Sequence, residues 1–173
     1  GVVLGCAGLR ALVWALAGTL IYLYMRAFGQ ALIDDAFITL QYADTLLTHR
    51  AWGFLPAEPC NAATSPLNVM LVAACGGLCG DLVRGAMLLS AIEAMLLLMT
   101  LFAISRRLFG SLFFGWCSFA LLMTSPLLVS TLGLESLLYV LLFCVALLLL
   151  AADRMHVLAV ALAIRSSLSF NSH

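Results

Sequence analysis

Lysine is absent from this chain, and charge of either sign is scarce. Only 9% of the 173 residues are charged, with Lys+Arg 8 balancing Asp+Glu 8 at a formal net charge of zero. Soluble domains carry roughly 25% charged residues, because they must cover a wetted surface. With 65% hydrophobic residues and a mean hydropathy of +1.16, a water-soluble fold would expose more continuous apolar surface than solubility allows. The apolar stretches must therefore meet lipid or one another. No basic patch exists, so nucleic acid is not an expected partner. Arginine without lysine, in a chain rich in Ala, Leu, Gly and Val, is the mark of GC-rich codon usage and suggests a bacterial source.

Helix breakers are also few. The four prolines stand at 56, 59, 66 and 126, which leaves long uninterrupted apolar runs. The six cysteines are scattered, and most lie within those runs as small hydrophobes. Cys75 and Cys79 are four apart with no His or Cys flanking them, a spacing that does not make a metal site.

A membrane-crossing helix needs about 20 mostly apolar residues. The fold class this implies is all-α, a polytopic transmembrane helix bundle. Spans are expected at 9–26, 85–104, 110–131 and 136–152, with a further, incomplete one at 155–165. The first is too long for a cleaved signal peptide and no small-residue cleavage site follows it, so it should remain as a helix. The chain starts at Gly1, and the polar residues 165–173 interrupt an apolar run in mid-course, so a longer parent protein is expected.

Between the first two spans lies a polar stretch, 27–84, expected to hold juxtamembrane helices at 34–49 and 65–80. In the first of these Phe37, Leu40, Ala43 and Leu47 recur at helical spacing, with Asp34 or Asp35 at the N-cap. Such an amphipathic helix would lie along a membrane surface. The second is short and broken by Gly76 and Gly77, which predicts that it does not cross the bilayer. Residues 27–84 and 131–136 then face outward. The turn at 106–110, with Arg106 and Arg107, faces the cytoplasm, as the positive-inside rule prefers.

Adjacent carboxylates at Asp34 and Asp35 repel each other, so a cation, an arginine or a raised pKa should compensate. They point about 100° apart on a helix, so one could hold a metal ion while the other meets substrate. The plainer reading is helix capping. Glu135 is an acid at a membrane edge with no basic neighbour, either a functional group or a favourable charge at the start of a helix. Glu93, inside a span, should face another helix or a cavity. Tyr42, Trp52 and Phe54 read as loop aromatics that stack on a sugar or anchor at the interface. His49, His156 and His173 do not cluster.

The stretches IDDAFITLQYAD at 33–44, NAATSPLN at 61–68 and GLES at 133–136 occur in that order, with RRLFG at 106–110 between the last two. Together they resemble the GT-C superfamily of polytopic glycosyltransferases, particularly its bacterial arabinofuranosyltransferase-like and mannosyltransferase-like members. The resemblance covers about residues 9–165, the N-terminal part of such an enzyme. It implies a plasma-membrane protein that uses a polyprenyl-phosphate sugar donor and a glycan, lipid or protein acceptor, with transfer on the extracytoplasmic face. It implies one of Asp34 and Asp35 as general base, with Asn61, Thr64, Ser65, Tyr42 and Glu135 binding substrate. It also implies a divalent cation (Mg, Mn or Ca) at Asp35 and Glu135. The family's Arg-Pro-acidic-Gly stretch is not matched, since Arg165 is followed by Ser166 and Ser167. The contrasting expectation, from the residues alone, is a transporter or flippase subunit using Glu93 and Glu135, or a structural membrane subunit.

Overall fold

The computed structural model describes residues 2–28, 34–55, 63, 65–126, 128, 131 and 133–151. For 2–12, 28, 34 and 35 it describes the backbone alone. All regular elements among these residues are helices: α1 (Val2–Phe28), α2 (Asp34–His49), α3 (Pro66–Cys79), α4 (Leu82–Phe109), α5 (Phe113–Met123) and α6 (Ser136–Ala151). Among the described residues, one helix, α4, is long and apolar enough to cross a membrane. The expected incomplete span at 155–165 lies outside the described residues.

Local chemistry sets the ends of α4. Asp81, in extended conformation, accepts a hydrogen bond from the Arg84 backbone N–H at 2.7 Å and starts the helix three residues earlier than the apolar run alone suggests. Gly110 ends it in the left-handed conformation at φ 66°, with its N–H donating to the Arg106 carbonyl. Arg106 and Arg107 occupy the last turn, where the helix dipole favours positive charge. The 28 residues make a rod of about 42 Å.

Two cores sit on α4, one above the other. Near its start, Ala86, Met87 and Leu89 pack with Leu40, Tyr42 and Ala43 of α2 and with Val69, Val72 and Ala73 of α3. Further along, Ala91, Ala94, Leu97 and Leu98 pack with Ile21 and Met25 of α1, Phe119 of α5, and Leu137, Leu141 and Cys144 of α6. Outside this second core, Val13, Leu16, Leu20, Phe113, Leu121 and Phe143 are among many large apolar side chains left exposed.

α3 and α4 form a tight antiparallel hairpin. Gly80 turns the chain at φ 67°. Beyond the turn the two backbones nearly touch: a Cβ on Gly85 would lie 2.4 Å from the Gly76 nitrogen and 2.5 Å from its Cα. Glycine is required there because backbone faces backbone. Leu47, near the end of α2, lies 3.5 Å from where a Cβ of Gly77 would stand, so the C-terminal turns of α2 and α3 meet.

α5 is shorter than the 110–131 expected. It stops at Met123, where Thr124 turns its hydroxyl onto the Ala120 carbonyl at 2.7 Å and Pro126 follows two residues later. The residue before a proline is driven out of the α region, which ends the helix. Ser105 Oγ fastens the start of α5 to α4. It donates to the Ser111 carbonyl and accepts from the Gly115 N–H at 3.0 Å.

α2 is helical as expected, and its inward face holds Leu40 and Ala43 of the expected stripe but not Phe37 and Leu47. Ala36, Thr39, Leu40, Tyr42, Ala43 and Thr45 are buried, whereas Phe37 is 53% and Leu47 44% exposed. Leu40, Tyr42 and Ala43 pack together against α3 and α4, and Phe37 is turned out.

Candidate functional site

Hydrogen bonds between helices fix which ends lie together. The Tyr24 hydroxyl of α1 donates to the Met123 carbonyl at the end of α5, at 2.5 Å. Arg107 Nε–H donates to the Ala151 carbonyl at the end of α6, at 2.7 Å. The close of α1, the close of α5 and the start of α6 therefore share one end of the bundle. The turn at 106–112 and the close of α6 share the other. Glu135 belongs to the first end. Its carbonyl accepts from the Tyr139 N–H at 2.9 Å, so it heads α6. The backbone of Asp34 and Asp35 opens α2, reached from the close of α1 by residues 29–33.

The named candidates fare differently. Ser65 is buried and caps α3, its Oγ accepting from the Asn68 N–H at 3.4 Å, with Pro66 in the first turn. Tyr42 is corrected from a loop aromatic to a core residue. It lies inside α2 with no exposed surface, its ring 5.6 Å from Trp52 and 6.4 Å from Phe54. A ring with no free face packs the α2–α3 layer and offers a sugar nothing to stack on. Asn61, Thr64 and the side chains of Asp34 and Asp35 lie outside what the structure describes.

Among the described residues, the buried side-chain polar atoms without a hydrogen-bond partner are Asn68 Nδ2, Glu93 Oε1 and Glu135 Oε2. Helix geometry brings them to one level. Asn68 stands eight residues before Gly76, and Glu93 eight after Gly85, so each lies about 12 Å along its helix from the glycine crossing. Counting from the Arg107–Ala151 contact, Glu93 lies fourteen residues back along α4 and Glu135 sixteen back along α6, or about 21 and 24 Å. The level falls where α3 and α6 start and where the two cores on α4 meet.

Asn68 and Glu93 are only 2% and 4% exposed. Buried polar atoms are nearly always paired, so each of these three orphans calls for an account besides packing. Sequence reasoning weighed Glu93 and Glu135 but gave Asn68 no role. The signal was available: an asparagine three residues after a capping serine, at the foot of an otherwise apolar helix, has little reason to be there unless it faces polar company.

Among the described residues no three His, Cys, Asp or Glu side chains gather to hold a metal ion. Glu93 Oε1 and Glu135 Oε2 are both buried carboxylate oxygens without a partner, and of the two only Glu135 belongs to the ligand set the resemblance implies. A separate shallow groove, lined by Phe37, Gln41, Asp44, Phe54, Leu82 and Val83, lies between α2 and the first turn of α4 and reaches neither Glu93 nor Glu135. The chain matches no protein-family model, no curated protein and no solved structure.

Proposed function

We propose that this chain is the N-terminal part of a polytopic membrane glycosyltransferase of GT-C type in a bacterial plasma membrane. It would move a sugar from a polyprenyl-phosphate donor to a glycan, lipid or protein acceptor on the extracytoplasmic face. The observation that carries the reading is the double packing of α4. About 20 of its residues suffice to cross the hydrocarbon. The first turns then stand clear of the bilayer, and there α2 and α3 pack with a core of their own. A second layer folded on the outer end of a membrane helix is what the first outer loop of such an enzyme requires. The exposed apolar surface of α1, α5 and α6 suits lipid on the remaining length.

In this reading one aspartate, Asp34 by preference, takes the proton of the acceptor hydroxyl as its oxygen bonds to the sugar's anomeric carbon. The bond from that carbon to the lipid phosphate breaks, and the phosphate leaves with the electron pair. Asp35 and Glu135 would hold the divalent cation, which supplies charge neutralisation to the leaving phosphate. Ser65 caps the start of α3 by accepting from the Asn68 N–H.

The test is sugar transfer by the purified enzyme that carries this chain, with thermal stability read in parallel. Asp34→Asn or Asp35→Asn should lower the rate by about 10²–10⁴ while stability holds, because asparagine keeps the capping oxygen. Near-normal turnover in both variants removes the catalytic reading and leaves capping.

A second reading, a transporter or flippase subunit, is favoured by Glu93, a carboxyl 4% exposed inside the membrane-length helix. Its signature would be substrate movement across sealed vesicles that Glu93→Gln abolishes, with no covalent transfer.

A further inference from the structure

We propose that the turn between α4 and α5 docks on anionic phospholipid of the cytoplasmic leaflet. Arg106 and Arg107 meet the headgroup phosphates, and the apolar side chains beside them seat at the acyl-chain boundary. The inference rests on the membrane placement of α4 and not on sugar transfer.

Helix direction gathers positive charge at this end. The Trp14 ring of α1 lies 6.0 Å from the Phe102 ring of α4, while a Cβ on Gly18 would lie 3.9 Å from Met95 Cε. α1 and α4 are therefore antiparallel. The backbone of Arg10, one turn before Trp14, stands level with Arg106, one turn after Phe102. Arg106 and Arg107 are exposed. Arg107 gives its Nε–H to the Ala151 carbonyl, and its other four guanidinium donors remain for a further partner. The acids whose side chains the structure describes are Asp44, Asp81, Glu93 and Glu135. Glu93 is thirteen residues before Arg106, or about 20 Å along α4, and Asp81 caps the far end. Glu135 heads α6, sixteen residues from Ala151, and Asp44 belongs to the α2–α3 layer. Asp153 and Arg154, next in sequence, cancel in charge. Side chains at 106 and 107 leave the helix about 100° apart, so they form a rim facing many headgroups rather than a pocket for one anion.

The surroundings select a lipid over a soluble anion. Leu108, Phe109, Leu112, Phe113, Phe114 and Trp116 are all exposed. The Phe114 ring lies 4.5 Å from Phe109 and 5.9 Å from Phe113, so the apolar patch is continuous. Depth agrees with this. The core that α4 shares with α2 and α3 ends at Leu89. Ser90 to Phe109 is a stretch of 20 residues, about 30 Å, the thickness of the hydrocarbon. The turn then reaches the far boundary, where aromatic rings anchor and arginine meets lipid phosphate.

The experiment reconstitutes the whole membrane protein in phosphatidylcholine bilayers. Brominated phosphatidylglycerol or brominated phosphatidylcholine is added, and quenching of Trp fluorescence is read. Trp116 lies in the patch, so wild type should be quenched at a lower mole fraction of the anionic lipid. Arg106→Gln and Arg107→Gln should each reduce that preference about fivefold, and the double variant more. Arg107→Lys keeps the charge without the Nε contact and should keep the preference, which separates lipid binding from capping of α6. Arg84→Gln, at the opposite end of α4, should change nothing. Equal quenching by the two lipids in wild type overturns the proposal and leaves the patch as a surface for protein. An unchanged preference in the double arginine variant also overturns it. So does competition by inorganic phosphate beyond that of chloride at equal ionic strength, which would assign the arginines to a soluble anion. Normal sugar transfer in both aspartate variants, with a lipid preference lost in the double arginine variant, removes the transferase reading and keeps this one.

Discussion

Replacing Gly85 by alanine adds one methyl group at the tightest point of the α3–α4 crossing, and its effect can be worked out from distances. The new Cβ would stand 2.4 Å from the Gly76 nitrogen, 2.5 Å from the Gly76 Cα and 2.8 Å from the Cys75 carbonyl carbon. All of these are backbone atoms, so no side-chain rotation relieves the clash. To reach ordinary contact the helices must part by about 1 Å, a gap that forfeits a quarter to a half of each facing dispersion contact. The core shared by Val69, Val72, Ala73, Ala86 and Leu89 bears that loss. Overpacking of this kind costs about 1–3 kcal/mol. Alanine's better helix propensity offsets about 1 kcal/mol. Gly85→Ala should therefore be less stable than wild type by up to about 2 kcal/mol. Gly77→Ala is the control, because its Cβ would make an ordinary 3.5 Å contact with Leu47. There the propensity gain should stand alone and stabilise by up to about 1 kcal/mol. Denaturant unfolding of the purified protein reads both, with Trp52 fluorescence following the α2–α3 layer, since its ring lies against Tyr42. Gly85→Ala as stable as Gly77→Ala would refute the close crossing, and with it the shared level of Asn68 and Glu93.

Other outcomes follow from single contacts. Ser105→Ala strips the acceptor from the Gly115 N–H and should cost about 1–3 kcal/mol in the same unfolding assay, because the serine is 2% exposed and water cannot replace it. Arg50 follows α2 at φ 51°, a left-handed conformation that side chains resist; Arg50→Gly should stabilise by about 1 kcal/mol, read as a raised unfolding midpoint. Cysteines placed at Ala62 and Leu82 should both react with a membrane-impermeant thiol reagent from outside, since the 14 residues of α3 span only about 21 Å; labelling of one alone would show that α3 crosses.

The sequence by itself determined the helical class. In lipid only helices or a closed barrel satisfy the backbone, continuous apolar runs of about 20 residues select helices, and caps such as Ser65, Asp81, Gly80 and Gly110 are local signals that fix helix ends. It also marked Asp34, Asp35 and Glu135 as acids outside the apolar runs. Tertiary structure alone decided which faces turn inward. On α2, Leu40 and Ala43 of the expected stripe are buried, but Tyr42 rather than Phe37 fills the core shared with α3 and α4. Tyr42 thereby changed from a surface ring to a core one. The level shared by Asn68, Glu93 and Glu135 was likewise invisible along the chain. It depends on the distance of each residue from the Gly76–Gly85 crossing and the Arg107–Ala151 contact, and such distances exist only once the helices have packed.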